Sequence, residues 1–190
     1  MLRKLLATLA VVSVLASFAV FGSFAIFTDS QSVGSNTFST GTVGISTEPA
    51  KELVTFEDMA PGDQVTNPIK VSNDGSLELR YAVTSTTTEN TLAGELDLTV
   101  KTEVKECTNE GFDKDGTVIY GPGDLGSEKG INVIGDPAQG EQKEDRTLKP
   151  GEGEELCFSV QLPSSTGNSY QGLSTTATFS FEAEQTANNP

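Results

Sequence analysis

Four stretches of this chain alternate apolar and polar residues with a period of two. That pattern constrains the fold more than any other feature. Leu77, Leu79, Tyr81 and Val83 alternate with Glu78, Arg80 and Ala82. Leu96, Leu98, Val100 and Val104 alternate with Asp97, Thr99, Lys101 and Glu103. Leu156, Phe158, Val160 and Leu162 alternate with Glu155, Cys157, Ser159 and Gln161. Ala177, Phe179, Phe181 and Ala183 alternate with Thr176, Thr178, Ser180 and Glu182. Successive strand residues point to opposite faces, so such runs read as half-buried antiparallel strands. Their Thr, Val, Phe and Tyr content agrees with that. Shorter candidates are Val43–Ile45, Val54–Phe56, Ile69–Val71 and Val118–Tyr120. Past the leader no window shows a helical stripe, and Thr91–Leu96 offers at most one turn.

Turn chemistry divides these runs. Asn73-Asp74-Gly75 and Asp115-Gly116 read as hairpin signals. Pro61-Gly62-Asp63, Gly121-Pro122-Gly123, Asp136-Pro137 and Pro163-Ser164-Ser165 mark other corners. Pro61-Gly62-Asp63 precedes one strand candidate and Pro150-Gly151-Glu152 another, an echo that suggests two similar corners. Short strands with polar outer faces predict an all-β, antiparallel two-sheet sandwich or jelly roll. Residues 106–154 are acidic and Gly-rich, with only short apolar pieces such as Ile131, Val133 and Ile134. They read as a partly structured insertion between two core strands, mobile rather than functional.

The first 25 residues belong to a different category. Arg3 and Lys4 form a short basic region, and Leu5–Ile26 then carries no charge. Ser23 and Ala25 are small residues at the −3 and −1 positions of a cut between Ala25 and Ile26. This is a secretory signal, helical before processing, with retention as an anchor as the alternative. The mature domain is then 26–190, long enough for one core. It keeps ten basic against 27 acidic residues, a net charge of −17. Nucleic acid is not an expected partner for such a chain. The expected location is outside the cell, released or held at the surface by other proteins.

Candidate chemistry is sparse. The chain has no His, which removes the usual zinc ligands and every histidine-based mechanism. Asp113, Asp115 and Asp124 make a calcium candidate, but Gly116 stands in the wrong place for an EF-hand. The competing reading is a plain Asp-Gly turn. No catalytic residue and no cofactor is assigned. Cys107 and Cys157 both fall on the polar parity of their runs. In an exported chain that fits one disulfide, closing a loop of about 50 residues and tying down the base of the insertion. Two free thiols are the alternative.

The leader junction carries a resemblance. The run Gly22-Ser23-Phe24-Ala25-Ile26-Phe27-Thr28-Asp29 is followed by Asn36-Thr37-Phe38-Ser39-Thr40-Gly41-Thr42. This resembles the TasA/camelysin family in its small-residue cut site, its aromatic-x-Asp start and its Asn-x-Phe-x-x-Gly-Thr motif. Pro61-Gly62-Asp63, Ser72–Ser76, Arg80-Tyr81, Pro150-Gly151-Glu152 and Phe181–Gln185 are similar to later parts of the family pattern. The resemblance implies a jelly-roll subunit of extracellular biofilm matrix fibres, exported with a SipW-type signal peptidase. It implies self-polymerisation head to tail, with an accessory matrix protein as a further conceivable partner. The mature N-terminal strand segment, 26–38, would complete the sheet of a neighbouring subunit. Ile26, Phe27 and Phe38 are its anchoring side chains. A frayed N-terminus is the bland reading of the same segment. The family name also carries a rival function, a secreted or cell-surface metalloprotease. A carbohydrate-binding or adhesion sandwich is a third reading.

Overall fold

The computed structural model describes residues 28–29, 41–49, 53–56, 58–187 and 189. The signal segment 1–25, the cut at Ala25–Ile26 and the anchors Ile26, Phe27 and Phe38 lie outside the described residues. The chain runs through β1 (Thr28–Asp29), β2 (Ile45–Glu48), β3 (Leu53–Phe56), β4 (Gln64–Asn73), β5 (Leu79–Thr87) and β6 (Asp97–Thr102). One helical turn, α1 (Asn109–Phe112), comes next. β7 (Thr117–Asp124), β8 (Ile131–Ile134), β9 (Arg146–Leu148), β10 (Gly153–Gln161) and β11 (Thr175–Gln185) follow.

All strand pairs are antiparallel and fall into two sheets. In the first, β11 pairs with β5, and β5 pairs on its far side with β8 and β9. The second has the order β2-β4-β10-β6-β7. With β1, β2 and β9 set aside, β3-β11-β5-β8 faces β4-β10-β6-β7. Successive strands cross from one sheet to the other at every step except β6 to β7. Eight strands wound in this way make a jelly roll. The core lies between the sheets and contains Ile69, Val71, Leu79, Tyr81, Val83, Leu98, Val100, Leu156, Phe158 and Val160. These are the apolar parities of the alternating runs, which bury one face of each sheet.

The two Pro-Gly-acid corners are built alike. Gly62 N donates to Leu162 O at 2.7 Å, and Leu162 N donates to Asp63 O. Gly151 N donates to Asn73 O at 2.9 Å, and Asn73 N donates to Glu152 O. In the first corner the acid side chain accepts from Ala60 N at 2.8 Å; in the second it accepts from Lys149 N at 3.0 Å. Both glycines have positive φ, 98° and 76°, where a side chain is strained. The corners sit at opposite ends of the β4–β10 pair and are related by a local two-fold.

Four sequence expectations are corrected. Asn73-Asp74-Gly75 is not a hairpin, because β4 and β5 lie in different sheets. Asn73 is fully buried and acts as a corner post: its Nδ2 donates to Leu77 O and Leu148 O, and its Oδ1 accepts from Gly75 N. Asp115-Gly116 is not a tight hairpin either. β6 and β7 pair Thr102 with Thr117, so the link between them runs through residues 103–116 and includes α1. The 106–154 stretch is no loose insertion. It supplies β7 to one sheet and β8 and β9 to the other. Its apolar pieces are too short for a periodicity signal, yet Val133, Ile134 and Leu148 enter the core. Finally, Cys157 has the polar parity but is buried, as is Ser159. The 103–116 link covers that outer face, with Asn109 Nδ2 donating to Gln64 O at 2.6 Å.

Candidate functional site

Strand addition needs an edge, and the outer edge of β11 is the one the N-terminal segment reaches. β5 takes one side of β11 along Ala177–Gln185. On the other side β3 pairs with Thr175–Thr178, and β1 pairs with Ala183 and Glu184 through Thr28↔Glu184 and Asp29↔Ala183. Among the described residues no strand pairs with Phe179–Glu182 on that side. Phe179 and Phe181 turn inward there, with ring centroids 4.8 Å from Phe158 and 6.3 Å from Tyr81. β1 therefore rests on the end of an edge by two residue pairs.

A polar cluster backs this end of β11. Arg80 on β5 is buried on the outer face, and its Nε donates to Glu184 Oε1 at 2.5 Å. Its Nη2 donates to the main-chain oxygen of Asn189. Glu184 Oε1 also accepts from Gly140 N at 3.0 Å, and Oε2 accepts from Asn189 Nδ2 at 2.6 Å. A cleft of about 260 Å³ adjoins the cluster, between β5, β11 and the 136–145 link. Across the sandwich, Glu154 on β10 accepts from Arg146 Nε and from Tyr81 Oη, both part-buried. Burial and the adjacent Glu154 carboxylate push the Tyr81 phenol far above its ordinary value. The hydrogen bonds that Arg146 donates to the Glu154 carboxylate push its guanidinium above the ordinary arginine value. Sequence reading missed both clusters. Arg80 looked like an ordinary outward residue, and its partners lie 104 and 109 positions away.

The predicted site residues separate. Cys107 and Cys157 are bonded to each other, with Cα atoms 5.6 Å apart. Asp113 follows α1, Asp115 precedes β7 and takes Lys105 N on its carboxylate, and Asp124 ends β7 opposite Asp97. A strand advances about 3.3 Å per residue, so the nine residues from Asp115 to Asp124 put these two carboxylates outside one coordination sphere.

The site and fold together define a jelly-roll sandwich stapled by one disulfide, with a short N-terminal strand on an open sheet edge. The chain belongs to the camelysin metallo-endopeptidase family, which matches residues 1–189 and agrees with the TasA/camelysin resemblance. Comparison with curated proteins finds no match. Among solved structures, the infectious bursal disease virus VP2 subviral particle is similar at 12% identity and a TM-score of 0.40, over 85% of this chain. The virus of the Gx strain is similar at 10% identity and a TM-score of 0.39, also over 85% of this chain. The chain spans only 37% and 38% of the length of those two proteins. The strand order, not these likenesses, carries the fold assignment.

A family named for a metallo-endopeptidase implies a metal, and the donor set here does not fit one. The chain has no His, and both cysteines are bonded to each other. Among the described residues no three acids or cysteines stand close enough to ligate an ion. The part-buried carboxylates of Glu184 and Glu154 are ion-paired with Arg80 and Arg146.

Proposed function

We propose that this protein is an exported structural subunit of extracellular matrix fibres, polymerising by donation of its mature N-terminal strand to a neighbour. The observation that carries the reading is the pairing of Thr28 and Asp29 with the edge of β11. These are the third and fourth residues after the expected cut at Ala25, so a segment close to the start of the expected mature chain pairs with this sheet. Two residue pairs hold a strand weakly, and an extended peptide exchanges most readily when few rungs must break. An exposed edge is a template for another chain, and head-to-tail donation does not close on itself. The rival reading, a camelysin-type metalloprotease, has the family name in its favour and the donor set against it.

A cross-link tests the reading. Asp29→Cys with Ala183→Cys places two thiols opposite one another across the β1–β11 pair. Oxidised fibres are expected to give a covalent ladder on a non-reducing denaturing gel. Fibres that yield only internally linked monomers would overturn strand donation. The same preparation, free of host proteases, is expected to leave casein intact.

A further inference from the structure

The last residues of the chain do something the strand pattern does not require. β11 ends at Gln185, and Thr186 N donates to Glu78 O at 3.2 Å, which adds one rung to the β5–β11 pairing beyond Leu79↔Gln185. Asn189 then lands on the Arg80–Glu184 pair and is buried. Its Nδ2 donates to Glu184, its main-chain oxygen accepts from Arg80, and its Oδ1 accepts from Gln139 Nε2 at 3.4 Å. Glu184 is thus held on its side chain by Arg80, Gly140 and Asn189 while its backbone pairs with Thr28.

We propose that the C-terminal tail is a latch, closed by Asn189, that holds the end of β11 in the form able to receive an N-terminal strand. This rests on the strand-donation reading for its role in assembly. The physical argument is local. A strand end frays unless something ties it down. Glu184 is the acceptor residue nearest the end of β11, and the latch fixes it from the face that the incoming strand leaves free. With the latch open, Arg80 loses its main-chain acceptor and Glu184 loses one of its donors. The terminal rungs of β11 then fray, and neither the chain's own strand nor a neighbour's finds a fixed edge.

The test uses the full mature chain carrying Asn189→Ala or Asn189→Asp. The second variant keeps the shape but sets a carboxylate against Glu184, so a packing defect alone does not explain its effect. Amide exchange of Gly140 and of residues 183–186 is expected to rise about tenfold or more, with the centre of β10 unchanged. Fibre elongation is expected to slow by a comparable factor. Unchanged exchange at those amides in both variants would overturn the latch. Faster exchange with undiminished elongation would overturn its link to assembly, provided that deletion of residues 26–38 abolishes fibres. If that deletion leaves fibres intact, the strand-donation reading is what fails, and the exchange data alone decide the latch.

Discussion

Removing the disulfide gives the most quantitative test of the fold. Cys107 and Cys157 are separated by 50 positions, and closing such a loop removes about 4 kcal/mol of chain entropy from the unfolded state. Measured bridges often deliver less, so the expected loss in a Cys107→Ala/Cys157→Ala variant is about 2–4 kcal/mol. The sandwich itself should survive. The covering link is also held by Asn109 on Gln64 O, and by Lys101, whose ammonium donates to Phe112 O at 2.5 Å and lies 4.3 Å from the Phe112 ring centroid. With a urea m-value of about 2 kcal/mol/M, the unfolding midpoint should fall by roughly 1–2 M. Far-ultraviolet dichroism should be unchanged before the transition. Reducing the native bridge gives the same comparison without removing the buried Cys157 sulfur. Coincident urea curves for the oxidised and reduced protein would refute the reasoning.

Four further substitutions each probe a single side chain. Glu154→Ala leaves Arg146 and Tyr81 without their shared acceptor, and thermal unfolding should report a loss of about 2–3 kcal/mol. Asp63→Ala and Glu152→Ala each remove the acid that closes one Pro-Gly corner. The two should cost similar amounts, about 1 kcal/mol apiece, read from paired urea melts. Glu89 is pushed up by burial, but the backbone N–H groups of Leu92, Ala93 and Thr91 outweigh that and hold its carboxyl below the ordinary range. A lowered folded-state pKa stabilises the fold above the unfolded value of about 4.3, and the benefit vanishes as pH falls through the folded value. Glu89→Gln should therefore melt below the parent at pH 7 and level with it at about pH 2.

The four long alternating runs were legible because each buries a whole face, and they became β5, β6, β10 and β11. Their register and sheet assignment were not legible. Asn73-Asp74-Gly75 has the composition of a hairpin, yet the side chain of Asn73 bridges two corners from a position no local rule describes. β8 and β9 were missed as sheet members because four and three residues are too few for periodicity to register. Short strands of this kind are specified by the neighbour they pair with, here β5, rather than by their own pattern. The Arg80 cluster was hidden for a similar reason. Burial of an outward-facing arginine depends on residues 140, 184 and 189 arriving from elsewhere. The outer edge of β11 was readable only as an idea, an N-terminal segment without a place in its own core, because an edge exists only once the strand order is known.

The echo between Pro61-Gly62-Asp63 and Pro150-Gly151-Glu152 looks different once its geometry is known. In each corner the glycine supplies the positive φ, and the acid accepts from the amide three residues before itself. Carboxylates also collect turn amides at Asp145, which takes the N–H groups of Asp136 and Gln142 on its two oxygens, and at Glu89, which takes those of Thr91, Leu92 and Ala93. The strongly acidic composition is therefore partly architectural. Carboxylates stand where the chain turns, because a turn leaves amides without strand partners and an anion is a strong acceptor for them.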